Sequence, residues 1–308
     1  MKDGILVVNK PEGMSSAGVV GRLKRLLQVK KIGHTGTLDP FATGVLLIAV
    51  GKATRISRFF LDGSKGYQAR VTLGRETDTY DCTGQVIAQA DPSTLAGITF
   101  EKVRQVVSSF LGPQEQVAPA YSALKHNGQP LYKLARQGTM IQKPPRQIEV
   151  FHISMEGFQT TEQELPVFDM DVECSGGTYI RSLAYDMGRQ LGCGAHLSGL
   201  CRTRSSNFRL EDALDLNALE NMDIKDVEDK IVSMSKCLEF LPAIIADKAL
   251  AQKIRFGQKP GQHDLTGPVP ESEPNAFIRI VDRDNTLLAI VQPDNSGQSY
   301  KYCCVFTA

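Results

Sequence analysis

Lys31-Ile32-Gly33-His34-Thr35-Gly36-Thr37-Leu38-Asp39-Pro40 is the stretch on which the reading of this chain turns. It reads as a loop dense in glycine and polar side chains, set between a helix and a buried strand. Gly33 and Gly36 permit close approach of a partner to the backbone, and Pro40 pushes Asp39 toward extended geometry. Such loops often cradle phosphate, but this one lacks the pattern. The Gly51-Lys52 pair has Leu46 where the first glycine of a phosphate loop belongs and Ala53 in place of the hydroxyl, and no G-x-G-x-x-G opens a helix. What the loop presents is its acid. Asp39 is therefore a candidate reactive carboxylate, although an Asp-Pro pair is also an ordinary turn signal.

Working outward, Ile5 to Val8 and Val45 to Val50 are short apolar runs that read as buried strands. Between them Ser15 or Ser16 can cap a helix in which Val19, Val20, Leu23, Leu26 and Leu27 recur at helical spacing. Gln68–Leu73, Gln85–Gln89, Ile148–Met155 and Val167–Cys174 read as further strands, the last alternating Phe168, Met170, Val172 and Cys174 with polar residues. Phe100–Leu111 is an amphipathic helix with Phe100, Val103, Val106, Val107, Phe110 and Leu111 on one side. A second follows Gly176-Gly177, carries Ile180, Leu183, Ala184, Met187 and Leu191 inward, and stops near Gly192, which puts Arg181 in its first turn. Val227, Ile231, Met234, Leu238 and Leu241 describe another helix, closed by Pro242, where a domain boundary falls. Beyond it come a short helix ending at Gly257, a proline-rich polar stretch from Lys259 to Pro274, and strands at Phe277–Val281, Leu287–Gln292 and Tyr300–Phe306, a small β-rich module.

The chain has 308 residues, 42% hydrophobic and 22% charged, enough for one large domain and a small appendage. No apolar run reaches the length of a membrane span and the N-terminus has no signal-like segment, so a cytoplasmic protein is expected. The cysteines are scattered without a disulfide framework, and Cys193, His196 and Cys201 lack a paired C-x-x-C or a fourth ligand, so no metal is expected. The net charge of +1 conceals segregation. Gly13–Leu38 and Gln116–Ile148 contain no acid, yet hold Arg22, Lys24, Arg25, Lys30 and Lys31, and Lys125, Lys133, Arg136, Lys143 and Arg146. Arg202, Arg204 and Arg209 form a third basic cluster, and acids concentrate from Glu211 to Asp229. Such blocks suit a basic surface for a polyanion, although each alone is also compatible with an ordinary solvated face.

Gly33 to Pro40, followed by Ala42, Gly44, Val45 and Leu46, resembles the catalytic motif of bacterial tRNA pseudouridine-55 synthases of the TruB family. The resemblance continues through Asn9-Lys10-Pro11, Tyr67, Thr77-Asp78-Thr79, Tyr121-Ser122-Ala123, Gly177-Thr178-Tyr179-Ile180-Arg181-Ser182, Gly194-Ala195-His196-Leu197 and Arg202-Thr203-Arg204, and covers about residues 4 to 215. Cys201, where the family usually has a basic residue, and Ser206-Asn207, where glycine and proline are common, depart from it.

The resemblance implies an α+β pseudouridine-synthase fold with a long, mixed, largely antiparallel sheet, in a catalytic domain of residues 1–240. An RNA-binding insertion lies at about 116–148, and a C-terminal PUA-like module spans 241–308. It also implies a cofactor-free isomerase acting on uridine-55 of the tRNA T-loop. Asp39 is the catalytic carboxylate, attacking C1′ or abstracting a C2′ proton. Arg181 keeps it ionised, because a guanidinium fork suits a desolvated carboxylate. Tyr67 stacks on the uracil and assists loss of the C5 proton, His34 holds the altered RNA conformation, Tyr179 and Leu200 line the uridine pocket, and Lys10 contacts backbone phosphate. The partner is the tRNA T-arm, and a monomer is expected because no heptad or exposed apolar stripe is present. Rival readings are a tRNA-binding factor without catalysis and an RNA-guided synthase, which would lack the insertion.

Overall fold

In the computed structural model, which describes residues 2–161, 164–265, 276–294 and 299–306, the two apolar runs lie side by side. The first unit consists of β1 (Gly4–Lys10), α1 (Ser16–Leu27), β2 (Ile32–His34) and β3 (Thr43–Val50). β1 and β3 pair antiparallel, from Gly4 opposite Val50 to Lys10 opposite Gly44. Leu6, Val8, Leu46, Ile48 and Val50 join one apolar cluster with the helices, while Ile5, Val7, Val45, Leu47 and Ala49 join a second. Strands covered on both faces need apolar side chains at every position, which is why neither run alternates.

The sheet continues with β4 (Lys65–Leu73), and then come α2 (Phe100–Ser109), β5 (Gly112–Gln116), β6 (Arg146–Gln159), β7 (Val167–Cys174), α3 (Ile180–Leu191) and β8 (Ala195–Ser205). The spatial order is β1-β3-β8-β4-β7-β6-β5, with Leu214–Asp215 parallel to the outer side of β1. Neighbours along this path are antiparallel except β3 and β8, which run parallel where Arg202 lies opposite Gly44. This is the mixed, largely antiparallel sheet of the expected α+β class. The parallel crossing depends on glycine: Gly44 has φ +100°, and a Cβ there would stand 2.3 Å from the Arg202 carbonyl oxygen.

The C-terminal residues form β9 (Ala243–Ile245), α4 (Lys248–Arg255), β10 (Ile278–Val281), β11 (Leu287–Pro293) and β12 (Tyr300–Val305), a four-stranded sheet in chain order. Ile244, Leu250, Ile254, Ile280 and Val291 make its own core. Val281, Leu287, Ile290, Cys304 and Phe306 instead join Ile5, Val7 and Leu47, so this module covers the second face of the main sheet.

Local expectations are corrected in several places. The helix expected over Val227–Leu241 is interrupted: helical turns at Ile224–Asp229 and Met234–Cys237 flank a strand pair, Val232–Ser233, in which Val232 lies opposite Ile5 of β1. A β-branched residue there pairs with the sheet, and Ser233 caps the next turn by accepting from the Lys236 amide. Phe100 and Leu111 are exposed, and Val103 and Val107 carry the burial of α2. The Lys31–Pro40 loop begins as strand, because Ile32–His34 pairs with β3. The ends of the expected insertion belong to the main sheet, where Arg146 lies opposite Gln116. The strand Ala243–Ile245 was not anticipated, and the part of the Lys259–Pro274 stretch from residue 266 onward lies outside the described residues.

Candidate active site

The loop that carries Asp39 has little regular structure, so its backbone carbonyls need donors from elsewhere. Two buried cations supply them. Lys10 Nζ donates to the carbonyls of Pro11, Met14 and Pro40, at 2.8, 2.6 and 3.1 Å. Arg202 donates from Nε to Val45 O at 2.7 Å, and from its Nη atoms to Thr37 O and Gly36 O at 3.4 and 3.3 Å. Ser16, at the start of α1, both accepts from the Leu38 amide and donates to its carbonyl. Asp39 is thus fixed from the helix, from β1 and from β8.

These contacts correct two expectations. Lys10 is fully buried, its ammonium is engaged by carbonyls, and it cannot reach a phosphate in solvent. Burial pulls its pKa down to about 8, with Asp39 and Glu12 opposing and Arg202 assisting. Arg202, assigned to a basic surface cluster, is likewise buried and serves as a backbone clamp.

Arg181 meets Asp39 side-on. Its Nε lies 2.9 Å from Oδ2 and its Nη2 donates to Oδ1 at 3.2 Å, the first a charge contact whose N–H is out of line and the second a hydrogen bond. The guanidinium is also held by the carbonyls of Thr79 at 2.7 Å and Tyr121 at 2.9 Å, and by Asp81 Oδ2 at 3.3 Å. The Arg181 side chain is only 3% exposed, whereas the Asp39 side chain retains 31% and opens onto a cavity. Desolvation raises the Asp39 pKa. Arg181 pulls it back, Asp81 pushes it up, and the hydrogen bond from Arg181 and the charge of Lys10 add smaller pulls downward. Asp81 was missed by sequence reasoning. It is buried beside Arg181, and its other oxygen accepts from the Thr83 amide and from the hydroxyls of Thr79 and Thr83.

Arg181 reaches this position because α3 begins at Ile180, immediately after Tyr179. No side chain of its own caps that helix. Gln116 takes the place of a cap, accepting from the Tyr179 amide at 2.8 Å and donating to its carbonyl at 2.9 Å, and Ser182 donates to Val117 O. The base of the insertion is therefore tied directly to the helix that holds Arg181.

A cavity of about 410 Å³ brings together Asp39, Tyr67, Tyr179, Arg181 and Leu200, with Arg146 and Arg202 also in its wall. That volume is at the lower end of the range for small-molecule sites, roughly 300–1,000 Å³. Tyr67 projects from β4 and is nearly buried; burial raises its pKa, so the phenol is neutral at pH 7. Leu200 is half-buried rather than plain core. Arg146 places its guanidinium 4.6 Å from the Tyr179 ring centroid, and its Nε and Nη2 are enclosed without a hydrogen-bond partner. His34 lies outside the cavity wall, in β2, with Nδ1 enclosed and unpartnered; burial and then Arg202 lower its pKa, against a smaller opposing pull from the Gly36 backbone, which favours the neutral ring at pH 7. A larger cleft of about 880 Å³, between Lys2, Lys52 and α4, holds none of the candidate residues. Among the described residues no three metal-ligating side chains converge, and no helix is long and apolar enough to cross a membrane.

Comparison with known proteins gives a consistent pattern. A model described as TruB family pseudouridylate synthase, N-terminal domain, matches residues 24–180, and one described as tRNA pseudouridylate synthase B C-terminal domain matches 181–241. The junction between the two matches falls inside the structural domain, since α3 and β8 beyond it belong to the main sheet region. Curated relatives named tRNA pseudouridine synthase B include one from Syntrophotalea carbinolica, 43% identical over 96% of this chain and 94% of its own length. Another, from Francisella philomiragia, is 46% identical over 95% and 91%. Among solved structures, one described as a Cbf5-Nop10-Gar1 complex superposes with TM-score 0.75 and 26% identity, covering 99% of this chain and 85% of that one.

Proposed function

The chain belongs to the TruB family of pseudouridylate synthases, and on that premise we propose that it isomerises uridine-55 in the T-loop of tRNA to pseudouridine, with Asp39 as the catalytic carboxylate. The observation that carries this reading is the Asp39 carboxylate, gripped by the Arg181 fork and open to a cavity that also presents Tyr67 and Tyr179. The target base is flipped out of the T-loop into the cavity, which takes a few kcal/mol of unstacking that the closed pocket offsets. Arg181 keeps Asp39 ionised against desolvation, and Asp39 attacks C1′ or takes a C2′ proton. The N1 to C1′ bond breaks, uracil turns, C5 joins C1′ as the Asp39 carboxylate is displaced from C1′ or returns the C2′ proton, and the C5 proton passes to solvent. Tyr67, neutral at pH 7, stacks on the uracil and assists that loss as a relay, accepting the C5 proton as its own phenolic proton passes on to solvent.

Recognition of the rest of the RNA follows the charge. Arg146, whose enclosed donors lack partners, is the cation placed to meet a phosphate of the flipped nucleotide, in the role the sequence reading gave to Lys10. The segment between β5 and β6 offers Tyr121, Lys125, Tyr132, Lys133, Arg136 and Lys143 to the T-arm, and Arg136 already sits 5.7 Å from the Tyr132 ring centroid. His34 supports the altered T-loop backbone from β2. Residues 1–240 act as the catalytic domain, and 241–308 as a PUA-like RNA-binding module.

The test is to map pseudouridine by carbodiimide-dependent primer extension on a tRNA transcript treated with the purified protein alone. A single stop at position 55, absent when that uridine is replaced by cytidine, is expected. Binding without modification would favour a tRNA-binding factor, and modification only with an added guide RNA would favour the RNA-guided class.

A further inference from the structure

The turn Thr79-Tyr80-Asp81 supplies two of the acceptors on Arg181: the Thr79 carbonyl at 2.7 Å and the Asp81 carboxylate at 3.3 Å from Nη1. For the carbonyl of one residue and the side chain two positions later to meet the same guanidinium atom, the chain must reverse between them. It does so at Tyr80, whose φ is +63°. That left-handed conformation is uncommon outside glycine and asparagine, and a large aromatic residue gains nothing intrinsic from it. Residues held in such conformations persist where surrounding contacts over-determine them.

The contacts around Tyr80 are of two kinds. Backbone bonds tie the turn to β8 and to itself: the Leu197 amide donates to Tyr80 O at 3.0 Å, the Cys82 amide to Leu197 O at 2.9 Å, and the Tyr80 amide to Thr77 O at 3.2 Å. The ring makes a different link. It lies on Tyr185 with centroids 4.0 Å apart and planes at 17°. Tyr185 is on α3, one turn beyond Arg181, so both side chains lie along the same side of that helix. The turn therefore docks on α3 at two points, the guanidinium and the stacked ring.

We propose that the Tyr80–Tyr185 stack is a positioning device for the reaction: it fixes the 79–81 turn to α3, so that the Thr79 carbonyl and the Asp81 carboxylate hold the Arg181 fork in register with Asp39. This rests on the reading of Asp39 as the catalytic carboxylate. Tyr80 and Tyr185 touch neither the cavity nor Asp39, and they act through Arg181.

The test uses Tyr80→Gly, which removes the ring while suiting the positive φ, and Tyr185→Ala, which removes the partner from the helix side. An aromatic pair contributes about 0.5–1.5 kcal/mol, so single-turnover kcat is expected to fall roughly two- to tenfold. KM for tRNA should stay unchanged. The acid limb of the pH profile should move to higher pH, because a looser Arg181 lowers the Asp39 pKa less. Tyr80→Phe and Tyr185→Phe should match the wild type, and the double variant should be no worse than either single one. Wild-type kcat and acid limb in both Tyr80→Gly and Tyr185→Ala would overturn the proposal. So would a rise in KM alone, which would mark an RNA contact, or an equal loss in Tyr80→Phe, which would mark the hydroxyl. Asp39→Asn is run in parallel. Its inactivity with unaffected stack variants would sink this proposal alone, and activity in it would sink the catalytic assignment together with the proposal.

Discussion

Replacing Arg181 with lysine keeps a positive charge and removes the fork. In the wild type the guanidinium spans both oxygens of Asp39, at 2.9 and 3.2 Å, while also satisfying the Thr79 and Tyr121 carbonyls and facing Asp81. An ammonium is a single point with tetrahedral donors, and it cannot meet two carboxylate oxygens and two separate carbonyls at once. The smallest consequence is the loss of one charged contact to Asp39, worth about 1.5–3 kcal/mol, or roughly 10- to 150-fold in the chemical step. Lysine keeps the charge, which is the largest influence opposing desolvation of Asp39, and loses the smaller pull of the Arg181 hydrogen bond, so the acid limb of kcat should move only slightly, to higher pH. KM should change little, since Arg181 is almost wholly buried. Single-turnover release of tritium from tRNA carrying tritium at uridine C5, followed from acid to neutral pH, measures both. Activity in Arg181→Lys within about threefold of wild type would refute the reasoning that the fork is needed in addition to the charge to hold Asp39 in its reactive geometry.

In the free enzyme, the acid limb of kcat/KM should lie above the ordinary aspartate value of about 3.9, because burial raises the Asp39 pKa. The stability contribution of the same group runs the other way. With the folded pKa above the unfolded one, it is fully present below the unfolded value and lost as pH rises through the folded value. A limb at or below the ordinary value would contradict the desolvated carboxylate. Lys10→Met should lower the thermal midpoint by leaving carbonyls unpaired, and should leave the salt dependence of tRNA binding unchanged; a true phosphate contact would reduce the log–log slope by about 0.7–0.9. Gly44→Ala, at φ +100° and against the Arg202 backbone, should destabilise by at least about 3 kcal/mol, read as a fall in the thermal midpoint. An unchanged midpoint would mean the β3–β8 crossing yields more easily than its geometry implies.

What was readable in the sequence divides along physical lines. Asp39 and Arg181 stood in motifs dense enough to name a family, and Tyr67, Tyr179 and Leu200 came with them to one cavity. The paired apolar runs of β1 and β3 announced strands covered on both faces. Lys10 and Arg202 were misplaced because cations are ordinarily assigned to the surface. They are buried because an irregular glycine-containing loop leaves carbonyls that the loop itself cannot satisfy, and nothing in local spacing reveals that need. Asp81 was hidden for a related reason, since its approach to Arg181 depends on the reversal at Tyr80. The Val227–Leu241 helix failed because helical spacing of Val227, Ile231 and Met234 is equally met by two short turns around a strand residue that pairs with β1.

The most direct measurement is tritium release from C5-labelled tRNA by the wild type and Asp39→Asn, with T-arm binding followed on the same samples. The expected result is stoichiometric release by the wild type and none by Asp39→Asn, with binding retained in both. Release by Asp39→Asn at a rate near that of the wild type would contradict the assignment of Asp39 as the catalytic carboxylate.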